Sequence, residues 1–192
     1  MRKSKISRKT KETDIEASLN LDGKGNAKID TGIGFLNHML TAFAVHAEFD
    51  INISCKGDLD VDGHHTAEDI GIALGQAFAK CTEDKTGIAR YGSFTLPMDE
   101  SLAICAVDIS GRPYIVYNAE FENEKIGGLE TQLIGEFFRA FAMNAMITLH
   151  LNSPYGENDH HKCEALFKAT AHALKAAVKI ESDRLLSSKG VI

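Results

Sequence analysis

The chain predicts an α+β fold: an internal duplication of two similar sheet-plus-helix halves packed as a layered sandwich. Three observations carry this. The pattern His64-His65-Thr-Ala-Glu68 returns as His160-His161-Lys-Cys-Glu164, 96 residues later (160 − 64) in a chain of 192. The apolar stripe behind it returns too, with Ile70, Ala73, Ala77 and Phe78 matching Leu166, Ala169, Ala173 and Leu174 at helical spacing. Upstream, at an offset of 98, Phe35, Leu36, Met39, Leu40, Phe43 and Ala44 match Leu133, Ile134, Phe137, Phe138, Phe141 and Ala142.

The elements follow in order. Residues 13–29 read as a hairpin around Asp22-Gly23-Lys24-Gly25, where glycines and an aspartate supply turn chemistry. The stripe from Phe35 to Ala44 predicts a helix, and the alternation Phe49, Ile51, Ile53 a strand with one buried face. A second helix begins at His64. The second half repeats the plan: a hairpin over 101–121 around Ser110-Gly111, a helix over 133–142, a strand at Ile147, Leu149, Leu151, and a helix from His160. The halves are placed at 1–92 and 93–186, forming one duplicated domain, with 187–192 as a C-terminal tail that contacts substrate.

Composition narrows the class. With 44% hydrophobic residues, three prolines and no apolar run long enough to span a bilayer, the chain is expected to be globular, with no membrane partner. The start, Met1-Arg-Lys-Ser-Lys, is basic but lacks the apolar stretch of a signal peptide. Cys55, Cys81, Cys105 and Cys163 show no Cys-x-x-Cys spacing and read as free thiols, so a cytoplasmic location is expected. A net charge of −6 argues against nucleic acid as a partner.

The repeated motif restricts its own chemistry. On a helix, positions i and i+4 share a face and i+1 points about 100° away. His64 with Glu68, and His160 with Glu164, can each grip one ion, while His65 and His161 aim elsewhere. The economical arrangement is two metal ions, each taking a His/Glu pair from one helix and the odd histidine from the other. The duplication nominates one more ligand per ion, because His38 and Glu136 are 98 residues apart (136 − 38) in matching helices. The sets are therefore His38, His65, His160, Glu164 and His64, Glu68, Glu136, His161. The alternative, polar residues at exposed helix starts, accounts poorly for the same pattern at matching places in a repeat. Nitrogen and oxygen donors without thiolate suit Mn²⁺, Fe²⁺, Co²⁺ or Zn²⁺, and six-coordination with carboxylates favours Mn²⁺. His-Glu-x-x-His, the zinc peptidase pattern, is absent.

The segments Gly32-Ile-Gly-Phe-Leu-Asn-His38-Met-Leu, Asp62-Gly-His64-His65-Thr-Ala-Glu68-Asp-Ile-Gly, Arg90-Tyr-Gly, His160-His161-x-x-Glu164-x-x-Phe-Lys168 and Ser187-Ser188-Lys189-Gly190 resemble the imidazoleglycerol-phosphate dehydratases of histidine biosynthesis. The resemblance covers almost the whole chain. It implies a hydro-lyase that converts imidazoleglycerol phosphate to imidazoleacetol phosphate, with two Mn²⁺ per active site and sites built at subunit interfaces of a 24-subunit homo-oligomer. The family's metal positions fall on the two quartets above. Two departures stand out: Glu136 where many members carry histidine, and Asn37 where aspartate is common.

The implied chemistry is an elimination. Deprotonating the imidazole ring gives an imidazolate that pushes the hydroxyl off the adjacent carbon, through a diazafulvene-like intermediate. The next carbon then loses a proton to give an enol, which ketonises, so an acid/base group is needed. Glu12 matches the family position near the substrate and is the candidate, with Glu100 as the competing carboxylate. Arg90, Arg112, Lys168, Ser187, Ser188 and Lys189 correspond to substrate and phosphate contacts, and guanidinium and hydroxyl donors suit phosphate oxygens. His46 lies in the stretch the family uses near substrate. His150 alternates with Leu149 and Leu151 and is expected to be structural or solvent-facing; His172 is expected to be an ordinary helix-surface residue. Two other classes compete with the lyase: a metal-dependent phosphohydrolase, and a particle whose metals merely join subunits. Release of phosphate separates hydrolase from dehydratase.

Overall fold

In the computed structural model, which describes residues 2–190, the N-terminal segment Lys3–Lys9 forms strand β1 and pairs antiparallel with β2 (Thr13–Asn20), Ile6 facing Ala17 across the pair. Met1, Val191 and Ile192, the last two belonging to the expected tail, lie outside the described residues. The chain continues through β3 (Ala27–Asp30), α1 (Gly34–Ala47), β4 (Asp50–Gly57) and α2 (His64–Cys81). The second half runs β5 (Tyr91–Met98), β6 (Ser101–Asp108), β7 (Tyr114–Asn118), a small hairpin β8 (Lys125–Ile126) and β9 (Leu129–Glu130), then α3 (Gln132–Ala145), β10 (Thr148–Tyr155) and α4 (Asp159–Ala177). The sheet orders are β1-β2-β4-β3 and β5-β6-β10-β7, so the same topology is used twice. The offset of 98 holds at both ends of the first helix of each half (132 − 34 and 145 − 47).

The two expected central hairpins are corrected. Neither β2 and β3 nor β6 and β7 pair with each other. In each half a later strand, β4 or β10, slides between them, running antiparallel to the first and parallel to the second. A parallel pair needs a crossover, and α1 and α3 supply it. The Asp22-Gly23 turn is closed by a distant residue: the Asp50 carboxylate accepts from the backbone N–H groups of Lys24 (2.9 Å) and Asn26 (3.1 Å) and from the Asn20 amide (3.0 Å). Those donors hold its pKa well below the usual carboxylate range. A side chain at Gly23 would collide with the Asp50 backbone, so the bend requires glycine. Besides the small β8–β9 pair, hairpins form at β1–β2 and β5–β6, whose turns carry site residues.

Each sheet buries one face against helices, as the alternating burial of β4 and β6 shows. The helices of the two halves meet in the middle, α2 against α3 and α1 against α4. Gly71 and Gly75 permit the close α2–α3 approach, since a Cβ on Gly75 would lie 2.6 Å from the Phe141 carbonyl oxygen. Phe141 of the second half packs edge-on against Phe43 (6.3 Å) and Phe78 (5.9 Å) of the first, giving both halves a single apolar core. Among the described residues no helix is long and apolar enough to cross a membrane. All four cysteines are free and buried.

Candidate metal and substrate site

The α1–α4 contact brings three ligand-type side chains to one point. Asn158 caps α4, its side-chain oxygen accepting from the backbone N–H groups of His160 (2.9 Å) and His161 (3.3 Å). One turn on, Glu164 Oε2 lies 3.1 Å from His160 Nε2 and 3.4 Å from His38 Nε2 of α1. Ligand atoms of His38, His160 and Glu164 all fall within 4.8 Å of one another. Phe35 stands edge-on to both imidazoles. Burial of Glu164 works to raise its pKa, but the Lys168 ammonium 2.7 Å away and the neighbouring imidazoles outweigh it, so the group stays a carboxylate. Two imidazole nitrogens and a carboxylate oxygen converging on one point fit a divalent cation, whose bonds to such donors are about 2.0–2.2 Å long.

The odd histidines lie elsewhere, as their helical positions require. His65 Nδ1 is 3.0 Å from Asp58, and its Nε2 is 3.7 Å from Glu12. His161 Nδ1 is 2.8 Å from Glu100, and its Nε2 is 3.8 Å from Asp99. The hydrogen bonds that the two imidazoles donate to Asp58 and Glu100 raise their pKa values. In the neutral ring, an Nδ1–H donated to a carboxylate leaves the Nε2 lone pair free for a metal. The duplication extends to this arrangement: Glu12 sits in the β1–β2 turn, Asp99 and Glu100 in the β5–β6 turn. Sequence reasoning missed Asp58 and Asp99 and weighed Glu100 only as an acid/base. The available signal was the acidic run Asp58-Leu-Asp-Val-Asp62 just ahead of the motif, and the Met98-Asp-Glu-Ser101 turn.

Neither predicted quartet is assembled within one chain. His65 is separate from His38, His160 and Glu164. In the other set, His64 reaches Glu68 (4.0 Å), whereas Glu136 pairs with Arg139 (3.4 Å) and His161 with its own carboxylates. Among the described residues, His38/His160/Glu164 and Asp99/Glu100/His161 are the groups with three donors close together. Asn37 has a structural function: its side-chain oxygen accepts from the Thr31 N–H (2.9 Å) and hydroxyl (2.6 Å), fixing the entry to α1.

The candidate substrate residues form several groups. Glu12 is exposed at a turn held by Thr10, whose hydroxyl accepts from the N–H groups of Glu12 (3.0 Å) and Thr13 (2.9 Å). That hairpin is tied to α2 through Asp69, which accepts from the Thr13 hydroxyl and pairs with Arg8 (2.6 Å). Arg90, at φ 68°, grips Asp108 (2.7 Å) and donates to the Leu186 carbonyl (2.7 Å), bringing the start of the tail beside it. Ser187, Ser188 and Lys189 follow, with the Ser187 hydroxyl accepting from the Lys189 N–H (3.2 Å). Arg112 lies 3.6 Å from the same Asp108. Lys168 is apart from this set, on Glu164. His150 is exposed on β10, as its alternation requires. His172 is corrected: far from being an ordinary surface residue, it is half-buried, stacked on Phe94 (4.3 Å) and hydrogen-bonded to His46 (3.1 Å).

Comparison with known proteins agrees with this arrangement. A sequence model described as imidazoleglycerol-phosphate dehydratase matches residues 31–174. Proteins named imidazoleglycerol-phosphate dehydratase from Clostridioides difficile and Methanosarcina mazei are 55% and 56% identical over 192 residues, covering all of this chain and all of theirs. The crystal structure of the Staphylococcus aureus imidazoleglycerol-phosphate dehydratase superposes with a TM-score of 0.85 at 43% identity, covering 93% of this chain and 99% of that one. A Pyrococcus furiosus structure solved with the compound (S)-C348 gives 0.84 at 38% identity, over 97% and 100% of the two chains. With the duplicated fold, the converging imidazoles and full-length likeness at this level, the chain belongs to the imidazoleglycerol-phosphate dehydratase family.

Proposed function

We propose that this protein dehydrates D-erythro-imidazoleglycerol phosphate to imidazoleacetol phosphate in L-histidine biosynthesis, in the cytoplasm, with two Mn²⁺ ions per active site. The observation that carries the reading is the meeting of His38, His160 and Glu164 in a chain of this family. The ligand sets are His38, His65, His160, Glu164 and His64, Glu68, Glu136, His161. Because His65 and His161 stand away from their sets in one chain, each set is completed by a neighbouring subunit in a homo-oligomer, taken here as 24 subunits. Repeat halves 1–92 and 93–186 form one domain, and the tail 187–192 closes over substrate.

Metal ions held by these two sets would, when bound, stabilise the negative charge of a deprotonated imidazole ring. The chain's own residues do the rest. Asp58 and Glu100 hold His65 and His161 with Nδ1 engaged and Nε2 presented. Glu12, at its turn, is the acid/base: it gives a proton to the departing hydroxyl, so that water leaves, and then takes one from the substrate carbon next to the ring-bearing carbon, so that the enol forms and Glu12 is restored. The elimination passes through an imidazolate and a diazafulvene-like intermediate before ketonisation. Arg90, Arg112, Lys168, Ser187, Ser188 and Lys189 hold the phosphate, and His46 contacts the substrate. Asp108 orients both arginines in the meantime.

The test is to chelate the protein, reconstitute it with Mn²⁺, supply imidazoleglycerol phosphate and follow imidazoleacetol phosphate and free phosphate together, with His65→Ala as control. Metal-dependent ketone without phosphate release, abolished in the control, is expected. Phosphate release, or no reaction in fully metallated protein, would overturn the proposal.

A further inference from the structure

The seam between α1 and α4 continues beyond the metal cluster as a polar stripe inside an otherwise apolar contact. His160, Glu164, Lys168 and His172 recur every four residues along α4 and therefore share one face, opposite His38, Ala42 and His46 of α1. The contacts run in sequence: His38 and His160 on Glu164, Glu164 on Lys168 at 2.7 Å, and then His46 Nδ1 on His172 Nε2 at 3.1 Å. The two rings are 5.2 Å apart and inclined by 66°. Phe94 of β5 lies against the other side of the pair, nearly parallel to the His172 ring at 17°. His172 is thus fixed by stacking, and its Nε2 is directed at one nitrogen of His46.

A pair of imidazoles joined nitrogen to nitrogen shares one proton, and the sharing decides what His46 presents on its free nitrogen. Burial lowers both pKa values, helped by the Lys168 ammonium at His46 and by Lys175 at His172, so both rings are neutral near pH 7. If His46 donated from Nδ1, its Nε2 would carry a lone pair, which repels an anionic oxygen. If His46 accepts at Nδ1, its Nε2 carries a proton and becomes a donor. Only the second arrangement cooperates with Lys168 in binding a phosphate.

We propose that His172 is a positioning residue for substrate binding: its Nε2–H donates to His46 Nδ1 and holds His46 as the Nε2–H tautomer, a neutral donor for a phosphate oxygen beside Lys168. This rests on the reading of His46 and Lys168 as substrate contacts.

Steady-state kinetics of the metal-loaded protein test it, with inorganic phosphate as a competing probe. His172→Phe keeps a ring against Phe94 and removes the donor, whereas His172→Gln retains an amide N–H. Losing one hydrogen bond to a charged acceptor predicts a rise of about tenfold in KM and in the inhibition constant of phosphate for His172→Phe. Its kcat should stay within about twofold, and His172→Gln should recover most of the loss. Impaired His46→Ala together with unimpaired His172→Phe would overturn the positioning role alone. Normal kinetics in His46→Ala would overturn the substrate contact, and the positioning role with it. Should His172→Phe fail to assemble, solid-state ¹⁵N NMR of the unmodified particle decides: a protonated Nε2 and bare Nδ1 on His46 support the proposal, and the reverse overturns it.

Discussion

Replacing Asp159 with alanine should be among the most destabilising single changes available at the start of α4. The side chain is 4% exposed and lies 2.6 Å from the ammonium of Lys162, itself 6% exposed. The same carboxylate accepts from the backbone N–H groups of Glu122 (3.1 Å) and Asn123 (2.8 Å) and from the Asn123 amide (2.9 Å). Burial works to raise its pKa, but Lys162 and the N–H donors prevail and bring it down to about 2. Removing one partner of a buried ion pair costs about 3–5 kcal/mol, because the other charge is left uncompensated. In Asp159→Ala the ammonium keeps only the Glu120 carbonyl (2.9 Å) and the face of Phe121. Adding Lys162→Met removes the stranded charge and leaves the two backbone N–H groups and the Asn123 amide without their acceptor, as in the single variant, at about 1–3 kcal/mol for each that water does not reach. The double variant should therefore be more stable than the single one. Urea unfolding followed by circular dichroism, at fixed subunit concentration, measures both. A loss below about 1 kcal/mol in Asp159→Ala, or a double variant no more stable than the single, would refute the argument. The pH dependence has a definite sign. The folded pKa lies below the unfolded value near 3.8, so the contribution is present above pH 3.8 and lost as pH falls toward 2.

Further expectations follow from other contacts. Gly75→Ala should destabilise by about 1–2 kcal/mol despite alanine's better helix propensity, because its Cβ would lie 2.6 Å from the Phe141 carbonyl oxygen and 2.9 Å from the Ala145 nitrogen, and backbone cannot step aside; a melting temperature equal to wild type would contradict this. In metal-free protein, the Asp58–His65 and Glu100–His161 bonds raise the histidine pKa values, so their stabilisation is complete below about pH 6.5 and lost as pH rises through the folded pKa. Melting curves of chelated Asp58→Asn/Glu100→Gln protein should show a flatter pH dependence across that window, and an unchanged profile would count against the pairing. Deleting residues 187–192 should lower kcat/KM about tenfold, as for loss of charged phosphate contacts, with little change in melting temperature; unaltered kinetics would remove the tail from the site.

The duplication, both helices of each half and the strand between them were legible because each is written in short-range periodicity. The i, i+4 spacing in His160-His161-x-x-Glu164 placed one imidazole beside the carboxylate and turned the other away without any tertiary information. The order of strands was not legible. The Asp22-Gly23 loop looks like a hairpin locally, yet Asp50 organises it from 26 residues downstream (50 − 24), and β4 occupies the place a hairpin partner would take. Asp58, Asp99 and Asp159 escaped notice for a similar reason, since an acidic residue in a loop gains meaning only from the imidazole or ammonium it meets.

By itself, then, the sequence determined the repeat, the helical faces and the ligand types, because helix geometry fixes which side chains share a face within a few residues. Only the tertiary structure decided that α1 delivers His38 to Glu164, that the Glu12 turn lies beside His65, that Arg90 meets the Leu186 carbonyl at the start of the tail, and that His172 meets His46. Those contacts join residues dozens of positions apart, and they are selected by burial of the shared apolar core rather than by any local preference of the chain.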